Sequence, residues 1–503
     1  MGFSAKYRTR YTLLAIVAAF FVPVLLVSPA QAFSGQGAGT VGDPFQIYTC
    51  DQFQEISSDL SAYYRLEDDV DCTGETYTPI GTSGSPFTGV LSGELNTISN
   101  VTITGVNDLG LFGYINGGVV QDVRLSDISV SGGSSLGTVG GNVTDGVIAN
   151  IRADDSSSVT GTGGNVGGLI GSAAGSTSIS KSHYSGSVVL SGSYGGGLLG
   201  YATGAINISN SYANGTINGG SSYIGGLVGS INSGAPAISN SYAAATITGT
   251  ASYTGGFMGG LFVGTVEDSF SASDMNAVTG LNPGAMFGVG DGTSTNNYFD
   301  QYLADRSNCS GTGTAACTGV NAANAEPDYF TTNANAPLDT WNFDYTWTAS
   351  SGNLPAFATF GALQVDTPDV SETTINFGYT FLGLSGSGPI TSPQLRYRVA
   401  GTGSLWTYAT VTSTADENYT ISGLSPGTTY EIELRALFNG AGEYSDWADG
   451  SFTAATLAAT ASSAGDDSTT ALLAPTGQES FVYMLVGFAA ITMGVLGFVK
   501  LSE

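Results

Sequence analysis

One short phrase returns at a fixed interval through the middle of the chain and limits what the chain can fold into. The phrase is Gly-Leu-x-Gly or a close variant, and its copies begin at Gly110, Gly137, Gly168, Gly197, Gly226 and Gly256, with a looser copy at Ala285. Successive copies lie 27, 31, 29, 29, 30 and 29 residues apart. A fixed period of this size indicates an architecture of stacked structural repeats.

A second phrase follows the first within the repeat. It is Ile-Ser-Asn-Ser-Tyr-Ala, beginning at Ile208 and Ile238, with looser versions from Ile179 and Val266. Each copy leads into a short run rich in Val, Ile and Thr, which is typical of strands separated by tight turns. A unit this small cannot bury its own apolar face and must stack on its neighbours. We therefore predict an all-β fold, a parallel β-helix in which each coil covers the strand edges of the next.

Disorder is the alternative for a chain that contains 74 glycines. Disordered segments have low hydrophobicity, whereas 42% of these residues are apolar and Leu, Val and Ile recur in register. The glycines are expected at corners and where stacked backbones approach closely. Seven or eight coils at about 4.8 Å each form a rod of roughly 35 to 40 Å.

The two phrases together resemble the GLUG motif of bacterial surface and secreted proteins, and the resemblance covers residues 110–300. Residues 33–109 resemble the capping segment that leads into such domains, and residues 301–362 resemble the segment that closes them. The resemblance implies an extracellular β-helical module and assigns no chemistry to it.

Two features at the ends of the repeats suggest how the β-helix is closed. Phe53, Ile56 and Leu60 have helical spacing, which predicts a short helix over the first coil. At the other end we expect Trp341 and Trp347 to shield the last coil, because large aromatic side chains are commonly buried. A sugar-stacking platform is the alternative interpretation of these two rings.

Residues 1–32 have the pattern of a secretory signal peptide. A basic start is followed by an apolar core over residues 13–27 and by small residues at Ala30 and Ala32. We expect cleavage after Ala32. An uncleaved membrane anchor is disfavoured because the apolar run is short for a membrane span and contains Pro23.

Longer strands with alternating polarity follow the repeats. Leu424-Ser-Pro-Gly-Thr-Thr-Tyr430 resembles the corner before strand F of a fibronectin type III domain, where the tyrosine hydroxyl bonds to nearby backbone. The resemblance covers residues 365–456 and implies a β-sandwich. It also implies core or strand-edge positions for four aromatic residues, Tyr397, Trp406, Trp447 and Phe452.

The C-terminal residues suggest how the protein is attached to a cell. Residues 457–472 form a polar spacer. They are followed by a five-residue motif, Leu473, Ala474, Pro475, Thr476 and Gly477, and by an uncharged apolar span over residues 481–499. Residues 473–503 resemble a bacterial sortase sorting signal, which implies cleavage after Thr476 and transfer to peptidoglycan. The short basic tail leaves a permanent transmembrane anchor through residues 481–499 as the alternative.

The charge of the chain excludes several classes of partner. There are 12 basic and 40 acidic residues, for a formal net charge of −28. This charge repels nucleic acid and anionic lipid headgroups. Asp68, Asp69 and Asp71 form the densest acidic cluster of the capping segment, which we interpret as a solvated turn because the spacing of a calcium loop is absent from the sequence.

The four cysteines fall into two local pairs, Cys50 with Cys72 and Cys309 with Cys317. Four cysteines permit three connectivities, and we predict the local disulfides because they staple the two ends of the β-helix. A metal site is not expected, since the sequence has one histidine, His183, and no Cys-x-x-Cys. We predict no cofactor.

A catalytic site is not apparent in the repeats. Asp154 and Asp155 are the adjacent acids within the coils, and a glycosidase needs two carboxylates that flank a bond. The coils carry Arg124, Arg152 and Lys181 as their cations, too few for chemistry on anionic sugars. We interpret His183 as a turn or surface residue because no nucleophile motif surrounds it.

These observations predict a non-enzymatic protein anchored to the bacterial cell wall. Its function is that of an adhesin or surface scaffold, and its partners are a sortase, peptidoglycan, and glycans or proteins of the host or of neighbouring cells. The alternative function is that of a surface carbohydrate-active enzyme, a polysaccharide lyase or hydrolase on the β-helix.

Overall fold

A computed structural model describes residues 33–343, 346–350, 352–357, 363–381, 390–401, 406–410, 418–438, 443–444 and 452–458. Parallel strands between residues 45 and 320 stack as a β-helix, and antiparallel strands after residue 362 form a β-sandwich. The predicted fold class is confirmed.

The coil that contains His183 shows how the repeat forms. Its five short strands are Ser178–Ser180, His183–Tyr184, Ser187–Leu190, Tyr194–Gly196 and Leu199–Ala202. The first three join the largest sheet, and the other two join one smaller sheet each. Because the coils between residues 107 and 290 repeat this order, most strands pair with their equivalents in the coils before and after them.

The strands of the β-helix belong to three parallel sheets. The largest contains Phe45–Ile47, Tyr63–Leu66, Val70–Asp71, Val90–Ser92, Thr97–Thr104, Val119–Gly132, Val147–Ala153, Ser158–Gly161, Ser178–Ser180, His183–Tyr184, Ser187–Leu190, Asn207–Ser209, Tyr212–Ala213, Thr216–Gly219, Ala237–Ser239, Tyr242–Ala243, Thr246–Gly249, Thr265–Glu267, Phe270–Ser271, Asp274–Val278, Thr293–Thr295, Tyr298–Asp300 and Thr318–Val320. The second contains Phe112–Asn116, Gly140–Thr144, Ile170–Ala174, Leu199–Ala202, Val228–Ile231, Met258–Leu261, Phe287–Gly290 and Ser310–Gly313. The third contains Asn107–Leu109, Ser134–Leu136, Val166–Gly167, Tyr194–Gly196, Tyr223–Gly225, Tyr253–Gly255 and Asn282–Gly284.

The core runs along the axis of the β-helix as columns of aligned apolar side chains. The first residue of the second phrase forms one column, in which Ile179 pairs with Ile208, Ile208 with Ile238 and Ile238 with Val266. All four are at most 1% exposed. Burying a side chain of this size contributes about 1.5 to 3 kcal/mol, so the columns hold successive coils in register.

The glycines of the first phrase are required by close backbone contact between coils. A Cβ added at Gly226 would lie 2.1 Å from the carbonyl oxygen of Gly256, and one added at Gly197 would lie 2.3 Å from that of Gly226. Real Cβ atoms do not approach this closely. The repeat therefore needs glycine here to keep adjacent coils at strand spacing.

A helix covers the first coil, as predicted. It consists of the α-helix Cys50–Gln54 and the 3₁₀ turn Glu55–Ser58, and the hydroxyl of Thr49 accepts a hydrogen bond from the Gln52 amide at its start. Phe53 and Ile56 are fully buried beneath it. Further short helices lie at Gln301–Ala304, Ala322–Asn324, Tyr329–Thr331 and Leu338–Thr340.

The residues after the β-helix form a hairpin and then two antiparallel sheets. The hairpin pairs Trp347–Ser350 with Asn353–Phe357. One sheet contains Leu363–Val365, Asp369–Val370, Thr374–Phe381 and Asn418–Ser422, and the other contains Ile390–Val399, Thr407–Thr410, Thr429–Phe438, Glu443–Tyr444 and Phe452–Ala455. The Tyr430 hydroxyl accepts a hydrogen bond of 2.9 Å from the Ser425 amide, so the predicted tyrosine corner is confirmed.

Candidate functional site

The Asn-Ser-Tyr part of the second phrase builds one corner of each coil. Asn210 and Asn240 have φ angles of 48° and 47°, in the left-handed region that asparagine tolerates. The buried Ser211 that follows donates to the Ser209 carbonyl at 2.8 Å and accepts from the Ser182 amide of the preceding coil at 3.2 Å. These bonds satisfy the backbone at the turn and fix the direction of the next side chain.

The residue after this serine, Tyr212, belongs to a ladder of stacked aromatic rings on the flank of the β-helix. The centroids of His183 and Tyr212 are 4.7 Å apart, those of Tyr212 and Tyr242 are 4.7 Å apart, and those of Tyr242 and Phe270 are 4.9 Å apart. The ring planes differ by at most 3° within each pair. The ladder follows directly from strand register, since each ring pairs with its equivalent in the next coil.

The segment after the β-helix covers much of this ladder. Trp341 donates from Nε1 to the Asp268 carbonyl at 2.8 Å, and the Tyr242 hydroxyl donates to the Pro355 carbonyl at 2.7 Å. Trp347 packs against Tyr242 and is fully buried. The expectation that the two tryptophans shield the last coil was wrong in position, because they cover the flank of several coils. Since both are buried, they present no face for sugar stacking.

The same register continues past His183 into a cationic region. Arg152 pairs with His183 on one side and with Arg124 on the other, and Arg124 pairs in turn with Thr97. A pocket of about 320 Å³ lies here, lined by Thr97, Arg124, Leu125, Ser126, Arg152, Asp154 and His183. It concentrates two of the few cations of an acidic chain on adjacent coils.

His183 is not the turn or surface residue that we expected. It lies in the strand His183–Tyr184, stacks on Tyr212, and has a buried Nδ1 without a hydrogen-bond partner in the described part of the chain. Burial lowers its pKa to about 3, and the neighbouring Arg152 contributes in the same direction. The imidazole is therefore neutral at physiological pH and serves as the polar end of the ring ladder.

The acids of the coils accept hydrogen bonds from their own turn or from the next coil. Asp154 lines the pocket and accepts from the Ser156 hydroxyl at 2.5 Å and from the Ser156 amide at 3.2 Å. Asp155 is exposed. Asp268 accepts from the Asn296 side chain at 2.5 Å. Asp154 is the one carboxylate among the described residues that line the pocket, so the pocket offers cations and a single acid rather than the acid pair of a glycosidase.

The acidic cluster of the capping segment, Asp68, Asp69 and Asp71, is exposed, as expected for solvated acids, and its carboxylates also bond to neighbouring groups. The Asp69 carboxylate accepts from the Thr97 amide at 2.6 Å, and Asp68 lies 3.4 Å from the Arg398 guanidinium of the sandwich. Hydrogen bonds from Thr73 and then from Asn100 hold the pKa of Asp71 below its usual value. No group of three or more His, Cys, Asp or Glu able to hold a metal occurs within the residues that the structure describes.

The β-sandwich docks onto the capping segment around Glu67, which the sequence did not indicate. Glu67 is fully buried, and its carboxylate lies 2.5 Å from the Arg65 guanidinium and 3.7 Å from that of Arg396 in the sandwich. The Tyr408 hydroxyl donates to the same carboxylate. Burial raises the pKa of Glu67, and the two arginines oppose that shift.

Trp406 extends this contact. Its Nε1 donates to the Glu67 carbonyl at 3.1 Å, and the guanidinium groups of Arg396 and Arg398 lie 4.3 and 4.2 Å from the centroid of its ring. Trp406 thus serves the interface between the modules, whereas Tyr397 packs against the sandwich core. Trp447 and the side chain of Phe452 lie outside the described residues.

The structure contains two disulfides, Cys50–Cys72 and Cys309–Cys317, with Cα separations of 5.2 and 5.5 Å. The predicted signal peptide with Ala30 and Ala32, the sorting motif at residues 473–477 and the apolar span at residues 481–499 lie outside the described residues. Within the described ranges, none of the helices has the length and apolar character needed to span a membrane.

Comparisons with known proteins identify one module. Residues 361–451 match the fibronectin type III domain family. A further match is to halomucin of Haloquadratum walsbyi, which is 35% identical over 154 residues; the match covers 27% of this chain and 2% of halomucin.

Two solved structures are also similar. A Bacteroides ovatus protein described as a candidate immunoglobulin A1 protease is 20% identical, with a TM-score of 0.43, over 64% of this chain and 94% of that one. A human FNIII domain is 14% identical, with a TM-score of 0.17, over 22% of this chain and 85% of that one. The family match and the observed topology together show that the chain carries a fibronectin type III domain C-terminal to a parallel β-helix.

Proposed function

We propose that this chain is a bacterial cell-surface protein, anchored to the cell wall, that acts as an adhesin or interaction scaffold. The observation that carries this proposal is the contact of the fibronectin type III domain with the capping segment around the buried Glu67. Separating the modules would remove Arg396 and Tyr408 from the buried Glu67 carboxylate, and the cost of unpairing a buried charge favours a fixed relation between the modules. Such a rigid pair is suited to presenting the flanks of the β-helix away from an anchor.

The attachment step follows from the sequence after the fibronectin type III domain. The motif at residues 473–477 and the apolar span at residues 481–499 support a sortase reaction. In that reaction the enzyme's cysteine attacks the Thr476 carbonyl, the Thr476–Gly477 bond breaks, and a peptidoglycan amine then takes up the Thr476 acyl group. The spacer at residues 457–472 extends the modules from the wall.

Mass spectrometry of muramidase-released protein tests the anchoring. The wall-bound product is expected to end at Thr476. Recovery of peptides that contain Met484 or Val499 from the wall fraction would instead support retention of the span at residues 481–499. Adhesion is tested separately, by comparing cells with and without the protein for binding to immobilised glycans and to proteins of neighbouring cells.

A surface carbohydrate-active enzyme is the second candidate, and the pocket beside His183 favours it. This pocket places Arg124, Arg152 and Asp154 within about 320 Å³ on adjacent coils, a volume in the range of small-molecule sites. Release of reducing ends from a panel of polysaccharides would support this function, and binding without release supports the scaffold.

A further inference from the structure

The regular coil is interrupted at the C-terminal end of the β-helix. The strand Asp274–Val278 carries a register shift against Thr246–Gly249, because Thr246 pairs with Asp274 but Thr248 pairs with Ala277. Such a bulge redirects a side chain and is frequent beside functional sites. Here the exposed Asn276 lies within the bulged strand, and the helix Gln301–Ala304 follows one coil later.

These two irregularities border a pocket of about 370 Å³. It is lined by Asn276, Gln301, Tyr302, Asp305, Arg306 and Ala323. All of these residues and the coils around them belong to the described part of the chain. The volume lies within the range of sites for small molecules, and the lining combines an aromatic ring, two amides and two opposite charges.

Arg306 gives this pocket an unused donor. Its Nη1 is buried without a hydrogen-bond partner in the described part of the chain, an arrangement that native structures rarely leave unexplained. Burial lowers the pKa of Arg306, and the nearby Asp305 carboxylate opposes that shift. Arg306 as a whole is half-buried and lines the pocket, so a ligand oxygen can accept a hydrogen bond from its guanidinium.

The other lining groups have defined positions. Gln301 lies against Gly319, where an added Cβ would be 2.1 Å from Gln301 Nε2. The Asn276 amide nitrogen donates to the Asp274 carboxylate at 2.9 Å, which leaves its oxygen as an acceptor. Tyr302 is 53% exposed, so its ring offers an apolar face at the edge of the pocket.

We propose that this pocket binds a neutral hexose unit of a glycan. Sugar hydroxyls both donate and accept, and the pocket supplies donors from Gln301 and Arg306 and acceptors from Asn276 and Asp305. The C–H face of the sugar stacks on the ring of Tyr302. The opposite charges of Arg306 and Asp305 and the net charge of −28 disfavour an acidic sugar.

The inference deepens the proposed surface function by naming a ligand class. It can fail alone, because adhesion can use other faces of the protein and the binding test uses purified protein rather than cells. The test is calorimetric titration of the exported protein with maltotriose, cellotriose, mannotriose and galactotriose, with trigalacturonate as the acidic comparison.

At least one neutral trisaccharide is expected to bind saturably at millimolar concentration or below. Tyr302→Ala and Arg306→Gln are each expected to weaken binding by about tenfold or more. The matched control is Tyr63→Ala, an exposed tyrosine of the capping segment, which is expected to bind like the parent. Arg306→Gln is expected to keep the parental melting temperature because Nη1 has no acceptor to lose.

Three results would overturn the inference. The first is the absence of saturable binding of every neutral trisaccharide at millimolar concentration. The second is binding that neither Tyr302→Ala nor Arg306→Gln weakens in a protein that remains folded. The third is binding of trigalacturonate alone. Continued cell adhesion alongside any of these results would leave the proposed scaffold function in place.

Discussion

The carboxylate of Glu67 in the capping segment accepts a hydrogen bond from the hydroxyl of Tyr408 in the fibronectin type III domain. A buried carboxylate is costly unless it is paired and hydrogen-bonded, and Glu67 satisfies this condition with Arg65 on its own side and Arg396 on the other. The contact between the modules therefore contains a buried polar network, in which Arg396 also pairs with Glu433 at 2.6 Å.

Glu67→Ala is expected to separate the two modules. It removes the carboxylate that binds Arg65 and Tyr408, whereas Arg396 keeps Glu433 at 2.6 Å. Removing one partner of a buried pair costs about 3 to 5 kcal/mol, which is the upper limit for this variant because one arginine stays paired. Small-angle scattering should report a larger radius of gyration, and calorimetry should resolve a separate transition for the fibronectin type III domain.

Glu431→Gln is the matched control for this variant. Glu431 pairs with Arg398 at 2.6 Å but is 29% exposed, so the expected cost is below about 1 kcal/mol. An unchanged scattering profile and a single unchanged transition for Glu67→Ala would show that the polar contact does not hold the modules together.

The β-helix could be predicted because the period of the repeat sets the register between successive coils. Ile208, Ser211 and Tyr212 recur with the coil period, so one coil specifies the neighbours of the next. The docking of the sandwich could not be predicted in this way. Tyr408 and Glu67 are 341 residues apart, and each lies in a segment without a repeat, so the sequence carries no periodic signal that relates them.

The errors about individual side chains have a related cause. The sequence places His183 in the ring column, since it stands where later coils have Tyr212 and Tyr242, but we judged it by the absence of a catalytic motif. Trp341 and Trp347 were expected over the last coil because they follow it in sequence. In the fold they pack along the flank instead, Trp347 against Tyr242 and Trp341 against Phe270 of the ring ladder.

Gly226→Val is expected to disrupt the stack. The added Cβ would lie 2.1 Å from the Gly256 carbonyl oxygen and 2.8 Å from the Ala243 Cβ, so two coils must move apart. Overpacking of this kind costs about 1 to 3 kcal/mol, and it weakens coupling to both neighbouring coils. Thermal unfolding followed by circular dichroism measures the loss, and surface display should fall with it.

Gly220→Val tests whether this effect is specific to the contact. A Cβ at Gly220 has its nearest neighbour at 3.9 Å, the Leu190 carbonyl oxygen, so the variant should unfold at the parental temperature. Equal losses for the two variants would mean that backbone propensity, rather than contact between coils, governs these glycines.

His183 predicts a pH dependence of stability. Its folded pKa of about 3 lies below the ordinary value of about 6.5, so the unfolded chain binds a proton between these limits that the folded chain excludes. The contribution of neutral His183 to the free energy of unfolding is fully present above about pH 6.5 and declines as the pH falls toward 3. Arg152 and Asp154 face the ring and act on the same titration.

His183→Phe removes this titration while continuing the ring ladder. Chemical unfolding measured from pH 7 to pH 4 should show a smaller decline for the variant than for the parent. Parallel curves would indicate that His183 becomes protonated in the folded protein. Using the difference between the two proteins cancels the titration of carboxylates that both share.

The Cys309–Cys317 disulfide is expected to secure the last coil. The Cys309 carbonyl accepts from the amides of Met286 and Phe287, each at 3.0 Å. Replacing both cysteines with alanine should cost about 2 to 4 kcal/mol and accelerate hydrogen exchange at those amides. The interior amide of Leu198, bonded to Leu227 at 2.8 Å, should keep its protection. Uniform loss of protection, or peptide mapping that links Cys50 to Cys309, would contradict this local role.

Replacing Asp154 and Asp155 with asparagine distinguishes the scaffold from the enzyme. Asp155 is exposed, and Asp154 accepts from Ser156 within its own turn, so we expect stability, export and adhesion to stay at parental levels, since solvated turn acids interact weakly. A hydrolase or lyase that uses Asp154 beside Arg124 and Arg152 would instead lose its turnover while remaining folded. Reducing-end release from a polysaccharide panel is the measurement, with thermal unfolding as the check on folding. If the parent cleaves a glycan and the folded double variant does not, the protein is an enzyme and the scaffold hypothesis is wrong.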